Sequence, residues 1–137
     1  MILVDAGPLV ALIHADDRRH ERCKAVLRSL QEPLASVWPP ITEAMYLLGF
    51  SSKAQQALWD FIQRDALHLL PLDPHDVPRM RELMKKYEDL PMDFADAALV
   101  RVAEREKIRR VFTLDRRDFS VYRPHRLGHF DVIPDDG

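Results

Sequence analysis

Cysteine is almost absent: Cys23 stands alone among 137 residues. That excludes an intrachain disulfide and suits a reducing compartment. Glycine is scarce too, four residues against ten prolines, so turns must be built mainly from proline and Asx residues. Long apolar runs are missing. Met1 leads into Ile2-Leu3-Val4 and the run stops at Asp5, too short for a secretory or membrane-spanning segment, so a cytoplasmic protein without membrane contact is expected. An excess of one charge sign is also lacking, and the formal net charge of -2 identifies no partner as a total. There is no internal repeat, low-complexity tract or linker. A chain of this length is expected to form one domain over residues 1–137, with a core that needs neither disulfide nor structural metal.

What is present is strongly patterned. Ile2-Leu3-Val4 is continuous rather than alternating, as in a strand covered on both faces. Ala6-Gly7-Pro8 reads as a turn into a helix from about Leu9 to His14, with Pro8 near its first position. A second helix, about Asp17 to Leu30, puts His20, Cys23, Leu27 and Leu30 on one face, so His20 is expected to pack or cap rather than to touch substrate. A short strand falls within Glu32 to Val37; Pro39-Pro40 then opens a helix over about Ile41 to Phe50. The next helix turns Leu58, Phe61 and Ile62 inward. Tyr46 and Trp59 fall off the apolar stripes, which makes them either partly buried or part of a dimer or partner surface.

Ala66 to Leu72 reads as a strand, ended by Asp73-Pro74. Val77, Met80, Leu83, Met84 and Tyr87 have helical spacing over Asp76 to Glu88, with the methionines expected in the core. After Asp89-Leu90-Pro91 comes a helix to about Glu106 that is apolar nearly all round, hence central and covered. Val111 to Leu114 and Phe130 to Ile133 are the last strands. This alternation predicts an α/β fold, a three-layer α/β/α sandwich with a mostly parallel central sheet.

Isolated acids punctuate these elements. Asp5 ends the first apolar run and Asp115 the run Val111 to Leu114. Glu43 sits in the first turn or so of an apolar helix, where it either balances the helix dipole or aims into a site. Asp93 and Asp96 lie three apart at the start of the covered helix, on one face; Asp93 suits an N-cap and Asp96 a capping-box acid. In open parallel sheets, ligands bind beyond the carboxyl ends of the strands. Strand-end acids emerge there, and helix starts that follow strands face the same side. Four or five carboxylates would converge, and their repulsion asks for a divalent cation. All the donors are hard oxygens and no Cys/His cluster is at hand, which favours Mg²⁺ or Mn²⁺ over Zn²⁺ and points to phosphate chemistry.

Val4-Asp5, Thr42-Glu43-Ala44, Asp93-Phe94-Ala95-Asp96-Ala97 and Thr113-Leu114-Asp115-Arg116-Arg117-Asp118-Phe119, in that order across essentially the whole chain, together resemble a PIN domain. The resemblance is to the VapC-like ribonuclease toxins of bacterial toxin–antitoxin pairs. It implies a metal-dependent endoribonuclease whose core acids are Asp5, Glu43, Asp96 and Asp115, an antitoxin that inhibits the active site, and commonly a homodimer. Asp118 competes with Asp115 as the fourth acid. Asp115 is preferred because it directly ends the strand, leaving Asp118 to cap the following turn. Asp93 is metal ligand, second-rank support or cap; Asp96 is assigned to the metal. Thr113 either hydrogen-bonds a site carboxylate or the scissile phosphate, or simply packs as a β-branched strand residue.

The expected chemistry follows. Asp5, Asp96 and Asp115 hold one or two Mg²⁺ or Mn²⁺, Glu43 orients or deprotonates the attacking water, and Arg116 and Arg117 grip RNA phosphates. Two other functions compete. A metal-dependent phosphatase or phosphoacceptor domain usually needs a second acid two residues after the first, or a late-strand lysine; Asp5 is followed by Ala6-Gly7 and no suitable lysine appears. A catalytically silent RNA- or protein-binding module of the same fold would have no use for mutually repelling acids.

Overall fold

Five short strands form one sheet, and the central one is the most apolar. The structure, a computed structural model, describes residues 1–135, so the last two residues of the expected domain, 136 and 137, lie outside the described residues. In chain order the strands are β1 (Ile2–Val4), β2 (Leu34–Ser36), β3 (Leu67–Leu69), β4 (Arg110–Phe112) and β5 (Asp131–Ile133). The sheet order is β3-β2-β1-β4-β5 and every pairing is parallel. Parallel strands need crossover connections, and helices supply them: α1 (Ala6–Ile13), α2 (His20–Ser29), α3 (Trp38–Leu47), α4 (Ser52–Gln63), α5 (Val77–Lys86), α6 (Phe94–Glu106) and α7 (Arg116–Val121).

Alternation along the strands splits the core in two. Leu3, Ala35, Val111 and Val132 pack with residues of α5, α6 and α7 on one face. Ile2, Val4, Leu34, Leu67 and Phe112 pack with α1 to α4 on the other. The result is the expected α/β/α sandwich, with α6 covered as its composition requires: seven of its apolar residues are buried. Among the described residues no helix is long and apolar enough to cross a membrane.

Several boundaries differ from the periodicity reading. Helix α1 starts at Ala6, not Leu9, because Asp5 caps it; Ala6-Gly7-Pro8 is its first turn rather than a preceding loop. Proline there loses no helical hydrogen bond, since the first N–H groups have no partner in the helix. Helix α3 likewise begins at Trp38 and takes Pro39 and Pro40 into its first turn, which moves Glu43 into the second turn, beyond the reach of dipole compensation. Helix α2 starts at His20, later than Asp17. Val77 and Met84 are 55% and 38% exposed, so the α5 core stripe is Met80, Leu83 and Tyr87 alone. Strand β4 ends at Phe112; Thr113 and Leu114 separate it from Asp115, and α7 follows where only a turn was expected.

Candidate metal centre and active site

The carboxyl ends of β1 and β4 lie side by side, and the residues that leave them are acids. Asp5 follows β1 directly and is buried with an extended backbone as the N-cap of α1. The Ala6 N–H donates to its Oδ1 (2.8 Å) and the Thr113 hydroxyl donates to its Oδ2 (2.9 Å). The same Thr113 hydroxyl accepts from the Asp115 N–H (3.0 Å). Of the two roles open to Thr113, the contact with a site carboxylate is therefore the one observed.

Asp93 is the N-cap of α6: its Oδ1 accepts from the Asp96 N–H at 2.8 Å. Asp96, one turn in, is buried, and its Oδ2 accepts from the Tyr122 hydroxyl (2.7 Å). Tyr122 is itself held edge-on by Tyr87 and Phe119, with ring centroids at 5.0 and 5.1 Å. The cap of α7 is Asp115, whose Oδ1 is 3.5 Å from the Asp118 N–H, so the capping role expected of Asp118 belongs to Asp115. One carboxylate oxygen from each of Asp96, Asp115 and Asp118 lies within 4.8 Å of the others, near the roughly 4 Å that separates opposite ligands around Mg²⁺.

An open cavity of about 340 Å³ connects these groups; Asp5, Glu43, Asp93, Asp96 and Asp115 line it, with Arg19 and Leu47. Crowding raises every shifted carboxyl in it. Burial pushes Asp96 up to about 8, the Tyr122 hydrogen bond offsets part of this, and the charges of Asp5, Asp93 and Asp115 add to it. Burial also raises Asp5, against the donors Ala6 and Thr113. Glu43 is raised by burial and by Asp5 and Asp93, and Asp115 by burial and by Asp118. Tyr122 is held up by burial and by the neighbouring Asp96 carboxylate. A cluster of aspartates held this way can coordinate a metal ion. Its donors are carboxylate oxygens, and neither histidine nor cysteine lines the cavity.

The expected site residues thus fall into two groups. Asp5, Glu43, Asp93, Asp96 and Asp115 face one cavity, with Thr113 and Asp118 against them. Arg116 and Arg117 do not line it. The Arg116 guanidinium donates to the carbonyls of Pro134 (3.0 Å) and Val132 (3.4 Å) and pairs with Asp135, while Arg117 is exposed. His20 packs, as expected: its Nδ1 donates to the Ala11 carbonyl (2.6 Å), tying α2 to α1. Arg19, Leu47 and Tyr122 were not singled out by sequence. Leu47 could have been, since it lies one helical turn from Glu43 on the same face; Arg19 and Tyr122 carry no such local signal.

A parallel sheet in the order 3-2-1-4-5 with acids gathered where its central strands end is consistent with a PIN domain. The sequence model of the PIN domain family matches residues 2–123, and the chain belongs to that family. Within it the likeness is to the VapC toxins. The chain is 29% identical over 135 residues to Ribonuclease VapC26 of Mycobacterium tuberculosis, covering 97% of this chain and all of that protein. Among solved structures, M. tuberculosis VapC20, a sarcin–ricin loop cleaving toxin, superposes with a TM-score of 0.78 at 18% identity, over 85% of this chain and 92% of that one. A toxin–antitoxin complex from Klebsiella pneumoniae gives 0.68 at 17% identity, over 88% and 92%.

Proposed function

We propose that this chain is a metal-dependent endoribonuclease and the toxin of a toxin–antitoxin pair, acting as one domain in the cytoplasm. The observation that carries the chemistry is the convergence of five carboxylates in one cavity, each shifted member being raised by burial and by its neighbours. Asp5, Asp96 and Asp115, with Asp118 beside them, would hold Mg²⁺ or Mn²⁺. Bound there, the ion supplies an activated water and a positive charge for the phosphodiester as it passes through its crowded transition state.

The rest is the work of side chains. Glu43 enters from α3 and lines the same cavity, its carboxyl raised by burial and by Asp5 and Asp93, and it would orient the attacking water and take its proton. Thr113 donates to Asp5 and Tyr122 to Asp96, and each bond fixes the orientation of a carboxylate that would hold the ion. Arg117, exposed two residues after Asp115, is kept as a phosphate contact. A phosphoacceptor role for Asp5 is disfavoured because Ala6-Gly7 follow it where a second acid two residues on would be needed. Likeness to the VapC toxins supports a cognate antitoxin as protein partner, and a homodimer belongs to the same reading.

The test is cleavage of RNA by the purified protein with Mn²⁺ or Mg²⁺, beside Asp5→Asn and Asp96→Asn. Each substitution is expected to lower cleavage by at least about 100-fold and to weaken Mn²⁺ binding. Variants that cleave RNA and bind Mn²⁺ like the parent would sink the assignment. A parent protein that binds RNA but cleaves none would move the reading to a silent scaffold.

A further inference from the structure

One basic side chain lines the acidic cavity. Arg19, at the end of the α1–α2 connection, faces Asp5, Glu43, Asp93, Asp96 and Asp115 across it. Its backbone is held on both sides. The Arg19 N–H donates to Asp17 Oδ1 (2.8 Å), and its carbonyl accepts from the Cys23 N–H (2.9 Å), which anchors it to the first turn of α2. Arg19 is exposed, and among the described residues no ion pair joins its guanidinium to any of the five carboxylates. A cation fixed at its base beside an acidic cluster, yet not neutralised by it, has its donors available for another anion.

A phosphodiester needs such a partner here. An open cavity of about 340 Å³ is at the small end of ligand sites, about 300–1,000 Å³, a size that suits a splayed nucleotide of an unpaired segment. The acids that would hold the ion repel every other phosphate along the strand. Arg116, next to Asp115 in sequence, spends its guanidinium on the Val132 and Pro134 carbonyls and Asp135. Arg19 is on the cavity wall itself, and a planar guanidinium matches two phosphate oxygens at once.

We propose that Arg19 is a substrate-binding residue of this cavity, its guanidinium taking the non-bridging oxygens of a phosphodiester in an unpaired RNA segment. The proposal rests on the nuclease reading of the same cavity. A purely structural role for Arg19 makes a different forecast: removing the cation would then leave RNA affinity and its salt dependence unchanged.

The experiment compares parent, Arg19→Ala and Arg19→Lys by fluorescence anisotropy with a labelled single-stranded RNA oligonucleotide in Ca²⁺, over a series of salt concentrations, and by cleavage in Mn²⁺. Arg19→Ala is expected to weaken RNA binding about tenfold and to reduce the slope of log affinity against log salt by about 0.7, the value of one phosphate contact on a single strand. Arg19→Lys keeps the charge but not the fork, and should retain the slope while losing part of the affinity. In cleavage, KM should rise more than kcat falls. Equal RNA affinity and equal salt slope in Arg19→Ala would overturn the proposal even if the parent cleaves RNA. A parent that binds RNA through Arg19 but does not cleave it would refute the nuclease reading and leave the binding role standing.

Discussion

Thr113 shows how much one hydroxyl can hold. Fully inside the protein, it donates to Asp5 and accepts from the backbone of Asp115, so a single oxygen joins the acid after β1 to the acid that caps α7. Thr113→Val keeps the shape and removes both bonds, leaving a buried Asp5 oxygen without its donor. The expected cost is about 1–3 kcal/mol, with weaker Mn²⁺ binding, and Thr113→Ser should recover most of both. Urea denaturation and Mn²⁺ titration of the two variants check this; a valine variant as stable and as tight as the parent would dismiss the relay. Sequence alone left Thr113 with two roles because its partner is 108 positions away. A separation of 26 positions likewise hides Tyr122 from Asp96. The acids themselves were legible, since a lone carboxylate at the edge of an apolar run stands out against its neighbours.

At the scale of elements, the α5–α6 layer is fastened by charge as well as by apolar packing. Asp76, 1% exposed, accepts from Arg101 Nε and Arg105 Nη1, both at 2.7 Å, and from the Asp73 N–H at 2.9 Å. Burial alone would raise its carboxyl, but the backbone donor and the two arginines hold it below the usual range. Removing one partner of a fully buried pair costs about 3–5 kcal/mol; both arginines are partly exposed and can hydrate, so Asp76→Asn should cost about 2 kcal/mol. It should leave Mn²⁺ affinity untouched, because Asp76 lies outside the cavity. Denaturation with and without Mn²⁺ separates the two effects, and a variant that loses metal binding in step with stability would contradict this division. Arg101 and Arg105 on α6 are thus structural. Element type was legible wherever apolar spacing was long, as in α5 and α6. Helix starts were not, because Asp5 and Val37 cap α1 and α3 so that prolines enter the first turns. The six-residue α7 is too short to show a period at all.

For the whole molecule, the layer order followed from the alternation of strands and helices, whereas the strand order 3-2-1-4-5 depends on contacts that no local pattern encodes. That order places β1 beside β4 and so creates the acid cluster, and the cluster should govern stability against pH when metal is removed. In the unfolded chain Asp96 loses its proton near 3.8; in the folded chain it keeps it until about 8. Between those values folding binds a proton, so stability falls as pH rises from about 4 to about 8 and levels off above. Asp5, Glu43 and Asp115 are raised too and add to the same slope. Asp76 and Glu104 are lowered and act oppositely: their contribution is complete above the ordinary carboxylate pKa and is lost as pH falls through their lower folded values. Protein in EDTA should therefore be most stable in mildly acidic solution and should weaken toward pH 8, by an amount on the order of a few kcal/mol. A divalent cation displaces the protons, so Mn²⁺ should stabilise far more at pH 8 than at pH 5 and should flatten the profile. Asp96→Asn should lose most of the EDTA slope and much of the Mn²⁺ effect, whereas Asp76→Asn should keep both. Thermal unfolding across this pH range, with EDTA and with Mn²⁺, measures each arm. A flat EDTA profile for the parent would mean that the carboxylates do not burden one another as their crowding requires, and the case for a cation among them would lose its electrostatic basis.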